Sequence, residues 1–490
     1  MKKETQQGAK PSLMMAVLPI GLTLSILAIQ LFVFDDFTPH IPLVFGIGVT
    51  AVLAWMRGYR WHDIEDGILH TVRVALQSIA ILMLVGMIVG VWIASGTVPI
   101  LIYYGLNTLS PEIFLAASML LCSVVSVTLG TSWGTVSTVG LALVGIGVGF
   151  DIPIYWTAGA VVSGAFFGDK ISPLSDTTNL APAVIGVSLF DHIKNMLPTT
   201  VPAMLLAFGI YLFVGFDAGN LQSTDFARVA LITDGIVNNF NLSPWLLVPP
   251  LLVLGCSLAR MPTLPSLFVG VLSGAVLAVV AQGATVHEVF RYMQSGYEIN
   301  TGVSEIDSLL GRGGIQSMTW VITLVMISLG FGGALERTRC LETIVEAILK
   351  KSRSFLRLQT SAIGTAMATN LVAGDPYLSI SLPGRMFAPA FVKQGYSKLN
   401  LSRAVEEGGT LISPLVPWNA GGSVVISALG LGIAEGHIEN LLYIPLAFAC
   451  WISPLLSIIY AATNKFTLTL EPTEVLPQEE PSQELPAQVK

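Results

Sequence analysis

Charged residues are scarce in this chain: Asp, Glu, Lys and Arg make up only 11% of its 490 residues. Soluble domains carry about 25% charge, so this composition excludes an ordinary water-soluble protein. Mean hydropathy is +0.73, and many apolar runs approach the roughly 20 residues that a membrane-spanning helix needs. The alternating segments of about ten residues that are typical of outer-membrane barrels are lacking. The sequence therefore predicts an all-α protein that crosses a membrane many times.

Cysteine is also rare. The four cysteines, Cys122, Cys256, Cys340 and Cys450, are far apart, and each lies in or beside an apolar segment. None has the close spacing of a redox or zinc motif. We therefore expect buried free thiols rather than disulfides or a metal centre.

Several catalytic and energy-coupling motifs are absent. The sequence contains no P-loop, no GxSxG and no HExxH, and its six histidines are dispersed without metal-ligand spacing. An ATP-driven pump and a membrane protease therefore have no support. We expect no enzymatic activity, no bound cofactor and no nucleic-acid partner, and we expect a lipid bilayer as the surroundings.

Apolar runs locate the candidate membrane spans, and those next to polar segments are short. Short spans interrupted by Gly or Pro, in corresponding positions of two halves, are the best sequence indicator of a transporter binding site. The candidate spans are 13–34, 41–57, 74–95, 112–130, 135–150, 153–167, 196–215, 245–259, 264–281, 317–334, 359–373, 378–392, 421–434 and 440–462.

Positive charge in the short loops predicts the orientation. Lysines at the N-terminus, Arg57 and Arg60 after the second span, and the basic segment 336–357 all indicate the cytoplasmic side. The predicted order is a cytoplasmic N-terminus (1–12), a first transmembrane half (13–215), a connector (216–244), a second transmembrane half (245–463) and a disordered acidic tail (464–490).

The most unusual segment is a polar island, Gly168–Asn179, between apolar flanks. Charge inside a span costs roughly 2.5–3.5 kcal/mol per residue on insertion scales, so these residues are expected to have a function. Pro173 interrupts the helix and frees backbone carbonyls, and hard cations such as Na⁺ prefer oxygen ligands. The candidate cation ligands are Asp169, Ser172, Asp176 and Thr177, with Na⁺ expected at the first three. The alternative is a surface loop in which Asp169 and Lys170 form an exposed pair.

Three further breaks accompany the island and suggest an internal repeat. In the first half, GTSWGT (Gly130–Thr135) precedes the island. In the second half, NLVAGDP (Asn370–Pro376) precedes GGTLISPLVPWN (Gly408–Asn419). Thr131 and Ser132 can offer hydroxyls to an ion, although small residues at this place also suit helix packing. Two breaks in each half predict discontinuous helices in a repeated arrangement.

The second half has charged candidates of its own. Asp375 lies between Gly374 and Pro376 at a break and is a candidate ion or proton group. Glu406 and Glu407 are adjacent, so they cannot face the same way on a helix, and we expect one to titrate while the other faces solvent. Partial desolvation favours the protonated form of a carboxylate, which makes either one a candidate proton carrier.

The remaining polar candidates allow more than one interpretation. Arg385 suits an ion pair with a carboxylate, an anionic substrate, or the end of a helix at the membrane interface. Asn370 and Asn419 are neutral amides beside breaks, where they suit either an ion or the capping of freed backbone.

Taken in order, GTSWGT, GDKISPLSDTT, GDPY with PGRM, and EEGGTLISPLVPWN resemble the signature segments of the NhaC family of Na⁺/H⁺ antiporters, over roughly residues 15–460. The resemblance implies Na⁺/H⁺ exchange in a bacterial inner membrane. The wider superfamily implies inverted repeats, two re-entrant hairpins, a homodimer, and elevator-like movement of a transport domain against a scaffold. The family signature falls on Thr131, Ser132, Asp169, Ser172, Asp176, Thr177, Asp375, Glu407, Ser413 and Asn419.

Two transport functions stay open, and a channel or membrane-embedded enzyme is a third hypothesis. In the first, Na⁺ and H⁺ compete for carboxylates at the breaks, with Asp375 or Glu407 as the proton group, because protonation removes the charge that holds the cation. In the second, the breaks bind Na⁺ or H⁺ while Lys170 or Arg385 and helix N-termini hold a small organic acid or amino acid. Relatives in the resembled family exchange malate and lactate.

Overall fold

The structure is a computed structural model, and it describes residues 9–470 apart from 35, 75, 222–225, 260, 302–305, 308–309 and 434–435. Most of the predicted N-terminal segment, and the predicted acidic tail beyond residue 470, lie outside these residues. Within the described part of the chain the regular structure is helical, with an isolated β-bridge between Tyr396 and Thr469. The all-α prediction is confirmed.

The helices of the first half alternate long apolar segments with short pieces. They are α1 (Leu13–Val33), α2 (His40–Trp55), α3 (Trp61–Val74), α4 (Leu76–Ala94), α5 (Thr97–Thr108), α6 (Pro111–Leu129), α7 (Ser132–Thr135), α8 (Leu141–Gly149), α9 (Ile154–Ile171), α10 (Asp176–Ile185) and α11 (Leu189–Leu221). A wide π-helical turn, Val136–Gly140, joins α7 to α8.

The described helices that follow are similar in kind. They are α12 (Phe226–Asn239), α13 (Val248–Leu258), α14 (Thr263–Gln282), α15 (Val286–Ser295), α16 (Gly314–Ser317), α17 (Thr319–Arg337), α18 (Cys340–Leu349), α19 (Phe355–Ala373), α20 (Pro376–Lys393), α21 (Lys398–Gly409), α22 (Ala420–Leu429), α23 (Tyr443–Leu446) and α24 (Phe448–Thr463).

Many of these helices are suited to a membrane. By length and composition, seven helical stretches of the described residues can cross a bilayer, and up to ten can if each bent pair counts as one span. In one bent pair, α4 and α5 meet at 68°, and in another, α12 meets the segment Pro244–Cys256 at 100°. Backbone freed at such bends is tolerated at membrane depth only where protein or a wet cavity surrounds it. The multi-pass, discontinuous architecture is confirmed.

The candidate spans omit several helices that are amphipathic or polar. α3 carries Asp63, Asp66 and Arg73, and α15 carries Glu288 and Arg291. A search for uncharged apolar runs passes over such helices, because only one face of each is apolar. It passes over α10 and α21 as well, because the polar breaks run directly into them.

The first break has the same backbone geometry in both halves. α6 ends at Gly130 with φ 66° and ψ 28°, and α19 ends at Gly374 with φ 63° and ψ 20°. Glycine takes this left-handed conformation without strain. The next residue, Thr131 or Asp375, caps the following helix by accepting a hydrogen bond from the N–H three residues further on.

The second break matches as well. Ser175 caps α10 and Asn419 caps α22, both with extended backbone. Each of these helices has ten residues and ends at a left-handed glycine, Gly186 or Gly430. The predicted internal repeat is therefore confirmed in its local geometry, while the inverted orientation of the halves stays a prediction.

The two breaks of each half touch one another. Gly130 packs closely against Leu174 in the first half, and Gly374 packs against Ser328 and the carbonyl of Trp418 in the second. A methyl group added at either glycine would overlap these neighbours. The glycines therefore bring the two breaks together.

The described chain ends in a clip on the connection between α20 and α21. The Ser397 N–H donates to the Leu468 carbonyl (3.0 Å), and the Asn400 side-chain amide donates to the same carbonyl (2.6 Å). Arg403 on α21 donates to the Phe466 carbonyl (3.3 Å). The first residues of the predicted tail thus hold the N-terminal part of α21 in place.

The cysteines are free thiols. Cys122, Cys340 and Cys450 are buried as predicted, whereas Cys256 is partly exposed.

Candidate functional site

A small cavity of about 80 Å³, here called the inner cavity, lies where the breaks of the two halves meet. α7, α10 and α20 all begin at its wall, and the end of α9 borders it. The polar residues that line it are Gln77, Thr131, Ser132, Asp169, Asp176, Thr177, Thr263, Tyr377, Thr410 and Ser413. The cavity wall therefore includes residues of all four polar segments of the sequence.

Asp169 lies in the last turn of α9 and is 4% exposed. Its Oδ2 accepts a hydrogen bond from the Ser132 hydroxyl on α7 (2.7 Å). Its Oδ1 makes no hydrogen bond of normal geometry, although the Ser175 hydroxyl lies close to the carboxylate. A buried carboxylate oxygen without a full partner is unfavourable unless something binds it. Because Asp169 and its neighbour Lys170 are both buried, the alternative of an exposed surface pair is wrong.

Asp176 is the first residue of α10 and is exposed at the mouth of the inner cavity. Its carboxylate accepts a hydrogen bond from the Tyr377 hydroxyl on α20. Thr177 beside it is buried and shares a hydrogen bond with the Ser175 hydroxyl (3.1 Å). The two aspartates of the island thus line one cavity, Asp169 in its buried part and Asp176 at its mouth.

Ser172 does not contribute to the wall of this cavity. It is fully buried at the end of α9, and its hydroxyl donates to the Val127 carbonyl on α6 (2.7 Å). The same oxygen accepts a hydrogen bond from the Leu174 N–H (3.3 Å). Ser172 therefore stabilises the turn of the island through backbone contacts.

Lys170 and Glu407 form an ion pair between the two halves, and neither side chain has exposed surface. Lys170 Nζ lies 3.3 Å from Glu407 Oε1 and donates to the Ser453 hydroxyl at 2.9 Å. The Thr199 hydroxyl donates to the same Glu407 oxygen (2.5 Å). Both charged groups therefore have protein partners behind the inner cavity, and the second oxygen of Glu407, Oε2, makes no hydrogen bond of normal geometry.

Glu406 faces a different direction from Glu407. It is fully buried, and its Oε1 accepts a hydrogen bond from the Thr410 hydroxyl (2.7 Å). Thr410 lines the inner cavity. Thr177 lies beside the same carboxylate, and Oε2 makes no hydrogen bond of normal geometry. The expectation that one of these glutamates faces solvent is wrong, because neighbouring helices enclose this part of α21 on all sides.

Arg403 adds a second buried cation to this region. It lies one turn before Glu407 on α21, has no exposed surface, and donates to the Asn195 carbonyl (3.4 Å). The charged members of the buried cluster are Asp169, Lys170, Arg403, Glu406 and Glu407. Three carboxylates against two cations leave one negative charge uncompensated when all are ionised. A bound cation would stabilise such an arrangement, because buried charge is unfavourable unless it is paired.

Asn370, Asn419 and Ser413 form a hydrogen-bonded chain at the second-half breaks. The Asn419 amide donates to the Asn370 side-chain oxygen (2.8 Å), and the Asn419 oxygen accepts a hydrogen bond from the Ser413 hydroxyl (2.7 Å). The Asn370 amide donates in turn to the carbonyls of Gly408 and Gly409. The asparagines thus satisfy each other and freed backbone, while Ser413 reaches the cavity wall.

Asp375 and Arg385 lie in a second cavity of about 440 Å³, here called the middle cavity, between α3, α10, α17 and α20. Asp375 caps α20 and is mostly buried. Arg385 is exposed and lies 3.8 Å from Glu336. Tyr377 lines both the inner and the middle cavity. Asp375 and Arg385 therefore lie apart from the candidates of the inner cavity, in a cavity that adjoins it at this tyrosine.

Sequence reasoning missed Tyr377, Thr410 and Arg403. In GDPY, Tyr377 holds the place that Trp133 holds in GTSW, so a comparison of the two breaks could have found it. Arg403 and Glu407 are four residues apart, a spacing that puts them on one helix face. Thr410 has no comparable signal.

A multi-pass helical protein with carboxylates buried at helix breaks around a small polar cavity has the architecture of a secondary transporter. The family model described as Na⁺/H⁺ antiporter family matches residues 9–178 and 164–465. The chain belongs to this Na⁺/H⁺ antiporter family.

Curated relatives are similar over almost their whole length. The Na(+)/H(+) antiporter NhaC of Alkalihalophilus pseudofirmus is 39% identical, across 91% of this chain and 94% of the relative. NhaC of Bacillus subtilis is 35% identical, across 87% and 93%. The Malate-2H(+)/Na(+)-lactate antiporter of Bacillus subtilis is 35% identical, across 93% and 96%. The resemblance inferred from the polar motifs is confirmed.

Proposed function

We propose that this chain exchanges Na⁺ for H⁺ across a bacterial inner membrane by alternating access, with Asp169 at the centre of its cation site. One observation carries the assignment: a buried carboxylate presents an oxygen without a normal hydrogen bond beside a cavity lined by hydroxyls. Membership of the Na⁺/H⁺ antiporter family supports the same reaction. The proposal includes no cofactor, and it includes the homodimer and the elevator-like movement that the resemblance implies.

The inner cavity suits Na⁺ in size and chemistry. Its volume of about 80 Å³ leaves room for an ion with a few waters, since one water needs about 10–15 Å³ of such space. Asp169 supplies the charge, and hydroxyls such as those of Ser132 and Thr131 supply the neutral oxygens that hard cations prefer. One Na⁺ also neutralises the surplus negative charge of the buried cluster.

Proton competition follows from the same charge. Protonating one carboxylate of the cluster makes it neutral and removes the attraction that holds Na⁺, so the two cargoes exclude each other. We assign this step to Asp169 and Glu406, because each is hydrogen-bonded to a hydroxyl of the cavity wall. Glu407, which pairs with Lys170, and Asp375, which lines the middle cavity, have supporting roles in this assignment.

Proteoliposomes that contain a pH-sensitive dye test the proposal. We expect a pulse of external Na⁺ to drive proton efflux with the natural protein, and Asp169→Asn to abolish the efflux, because an amide has no charge to hold Na⁺. Asp36→Asn is the matched control: this carboxylate is exposed and accepts a hydrogen bond from Thr38, so exchange should persist. Unchanged exchange in a folded Asp169→Asn protein would remove Asp169 from the site.

Asp176 provides a graded comparison. We expect Asp176→Asn to raise the KM for Na⁺ without abolishing exchange, because Asp176 lies at the mouth of the cavity rather than in its buried part. Unchanged Na⁺ kinetics in this variant would remove Asp176 from the site while leaving the assignment of Asp169 intact.

A second candidate function is cation-coupled exchange of a small organic acid or amino acid, since one relative is named a malate-2H(+)/Na(+)-lactate antiporter. The middle cavity offers about 440 Å³ and the exposed guanidinium of Arg385, a group that suits carboxylates. Lys170 is less suited to bind an anion, because it is enclosed with Glu407. Full exchange in vesicles without any organic solute favours the first function, and a requirement for malate, lactate or an amino acid favours the second.

A further inference from the structure

A third cavity of about 650 Å³, here called the outer cavity, lies between α3, α17 and the start of α18. Arg337 and Arg339 belong to its wall, and the abundance of Lys and Arg in these loops predicts that it faces the cytoplasm. His70 and Glu336 line both the outer and the middle cavity. Tyr377 lines both the middle and the inner cavity. The three cavities therefore form a series, each sharing wall residues with the next, that leads from the cytoplasmic face to Asp169.

Carboxylates accompany this series of cavities. Asp63 and Asp66 line the outer cavity, Glu336 and Asp375 line the middle one, and Asp176 lies at the mouth of the inner one. Arginines compensate part of this charge. Arg337 lies 3.9 Å from Asp63, and Arg385 lies 3.8 Å from Glu336. Acidic groups within low-dielectric walls concentrate cations, so the series has the charge expected of a cation route.

The hydrogen bond from Tyr377 to Asp176 lies where the middle and inner cavities adjoin. It connects the start of α20, in the second half, to the start of α10, in the first. Both partners begin helices that follow a break, so a small change at either break alters the hydrogen bond. Tyr377 is also a wall residue of both cavities.

We infer that Tyr377 is the gate on the cytoplasmic route to the cation site: Na⁺ passes from the middle cavity to Asp169 when the Tyr377 hydroxyl releases Asp176. The inference rests on the proposed Na⁺ site at Asp169. The inner cavity has a second border at Gln77 on α4 and Thr263 on α14, and Gln77 is exposed. A route past Gln77 would bypass the gate, so the experiment must separate the two.

A cysteine in the wall of the inner cavity reports access to it. Ile81 is an apolar residue of that wall, and Ile81→Cys in a Cys256→Ala background places a reporter thiol there. Inside-out vesicles expose the cytoplasmic face to a membrane-impermeant, cationic methanethiosulfonate. We expect Tyr377→Phe to raise the modification rate about tenfold, equivalent to about 1.4 kcal/mol, because the phenyl ring cannot hold Asp176. Asp176→Asn should raise the rate in the same direction.

Tyr460→Phe is the matched control. This tyrosine also donates a hydrogen bond, to the Pro198 carbonyl (3.2 Å), but away from the three cavities. Its removal should leave the modification rate unchanged. The inference would be overturned if the reporter cysteine were modified at the same rate in Tyr377→Phe, in Asp176→Asn and in the protein that keeps both residues.

Blocking each candidate route gives an independent measurement. A bulky maleimide on Ser381→Cys, in the middle cavity, should stop Na⁺-driven proton flux. The same label on Leu76→Cys, an exposed residue of α4 beside Gln77 that lines none of the three cavities, should leave most of it. The reverse pattern would overturn the gate. If the natural protein shows no Na⁺/H⁺ exchange, the proposed function is overturned. If it does exchange, but the gate variants leave the modification rate of the reporter cysteine unchanged, only the gate is contradicted.

Discussion

Lys170 Nζ lies 3.3 Å from Glu407 Oε1, and this buried pair joins α9 of the first half to α21 of the second. Enclosing two charges costs desolvation, which their attraction offsets only when further hydrogen bonds complete the arrangement. Ser453 and Thr199 supply such bonds. The pair therefore fixes the position of the helix that carries Glu406, one residue away, against the helix that carries Asp169.

We expect Glu407→Gln to destabilise the fold by about 3–5 kcal/mol, because Lys170 would remain buried without its counter-charge. The double variant Lys170→Met, Glu407→Leu removes both charges and should recover most of the loss. Lys10→Met removes the partly exposed pair with Glu346 and should cost less than about 1 kcal/mol. Thermal unfolding in detergent measures all three, and a Glu407→Gln protein that unfolds at the unaltered temperature would contradict the expectation.

Ser132→Ala should raise the KM for Na⁺ about tenfold, or about 1.4 kcal/mol. The variant removes the hydroxyl that orients the Asp169 carboxylate. Ser137→Ala is the control, since that serine donates to the Trp133 carbonyl instead (2.7 Å). Initial rates of Na⁺-driven proton flux in proteoliposomes provide the measurement, and an equal KM in both variants would show that Ser132 does not act on the cation site.

Glu406→Gln should reduce Na⁺-driven flux by more than about tenfold at low Na⁺, corresponding to about 1.4 kcal/mol of binding. The change leaves two carboxylates against two cations in the buried cluster, so no net charge attracts Na⁺. Glu439→Gln, at an exposed glutamate beside His437, is the control. If Glu406→Gln keeps the original Na⁺ affinity, charge balance does not determine cation binding.

Arg339 and Glu342 lie at the start of α18, outside the membrane spans. Arg339 donates two hydrogen bonds to Glu342 (2.7 and 2.9 Å), and these bonds lower the pKa of Glu342 to about 2. Because the pKa is lower in the folded protein, the stabilisation is complete above the unfolded value near 4.5. It is lost as the pH falls through about 2.

Glu342→Gln should therefore lower the unfolding temperature by the same small amount throughout the range from about pH 5 to 8, since exposed pairs contribute about 0–1 kcal/mol. Thermal scans at several pH values measure this. A difference between the two proteins that changes steadily across that range would show that Glu342 titrates there.

Gly374→Ala should destabilise the fold by at least about 1–2 kcal/mol. Its φ of 63° disfavours a side chain, and a methyl group would overlap the Ser328 hydroxyl. Gly364→Ala in α19 has open space around it and should instead stabilise the helix by roughly 0.5–1 kcal/mol. Thermal unfolding of the two variants should thus show shifts of opposite sign, and shifts of the same sign would contradict the role of Gly374 at the break.

The breaks could be predicted from sequence because their causes are local. A glycine at the end of α6 or α19 and a capping side chain one residue later are enough to stop one helix and begin another. The charge of Asp169 within an apolar region likewise indicated function without knowledge of its partners. Amphipathic helices such as α3 were not predicted, because the charged residues on one face interrupt the apolar run that would indicate a span.

The partners of the break residues could not be predicted in the same way. Lys170 and Glu407 are 237 positions apart, and no local pattern indicates that they meet. The choice between Glu406 and Glu407 depends on the rotation of α21 about its own axis. Contacts from distant segments set that rotation, including Lys170 on one side and the residues around Phe466 on another. Ser172 was predicted as a cation ligand because its hydroxyl suits a cation. In the structure that hydroxyl donates to the Val127 carbonyl instead.

The clip formed by residues 466–470 has a consequence for biosynthesis. Arg403 cannot donate to the Phe466 carbonyl until translation has passed α24. About 60 further residues must follow α21, at roughly 5–20 residues per second, before Phe466 is available to Arg403. The helix that carries Glu406 and Glu407 thus gains its last contacts only after α24 has been made, and a truncation before Phe466 would remove those contacts.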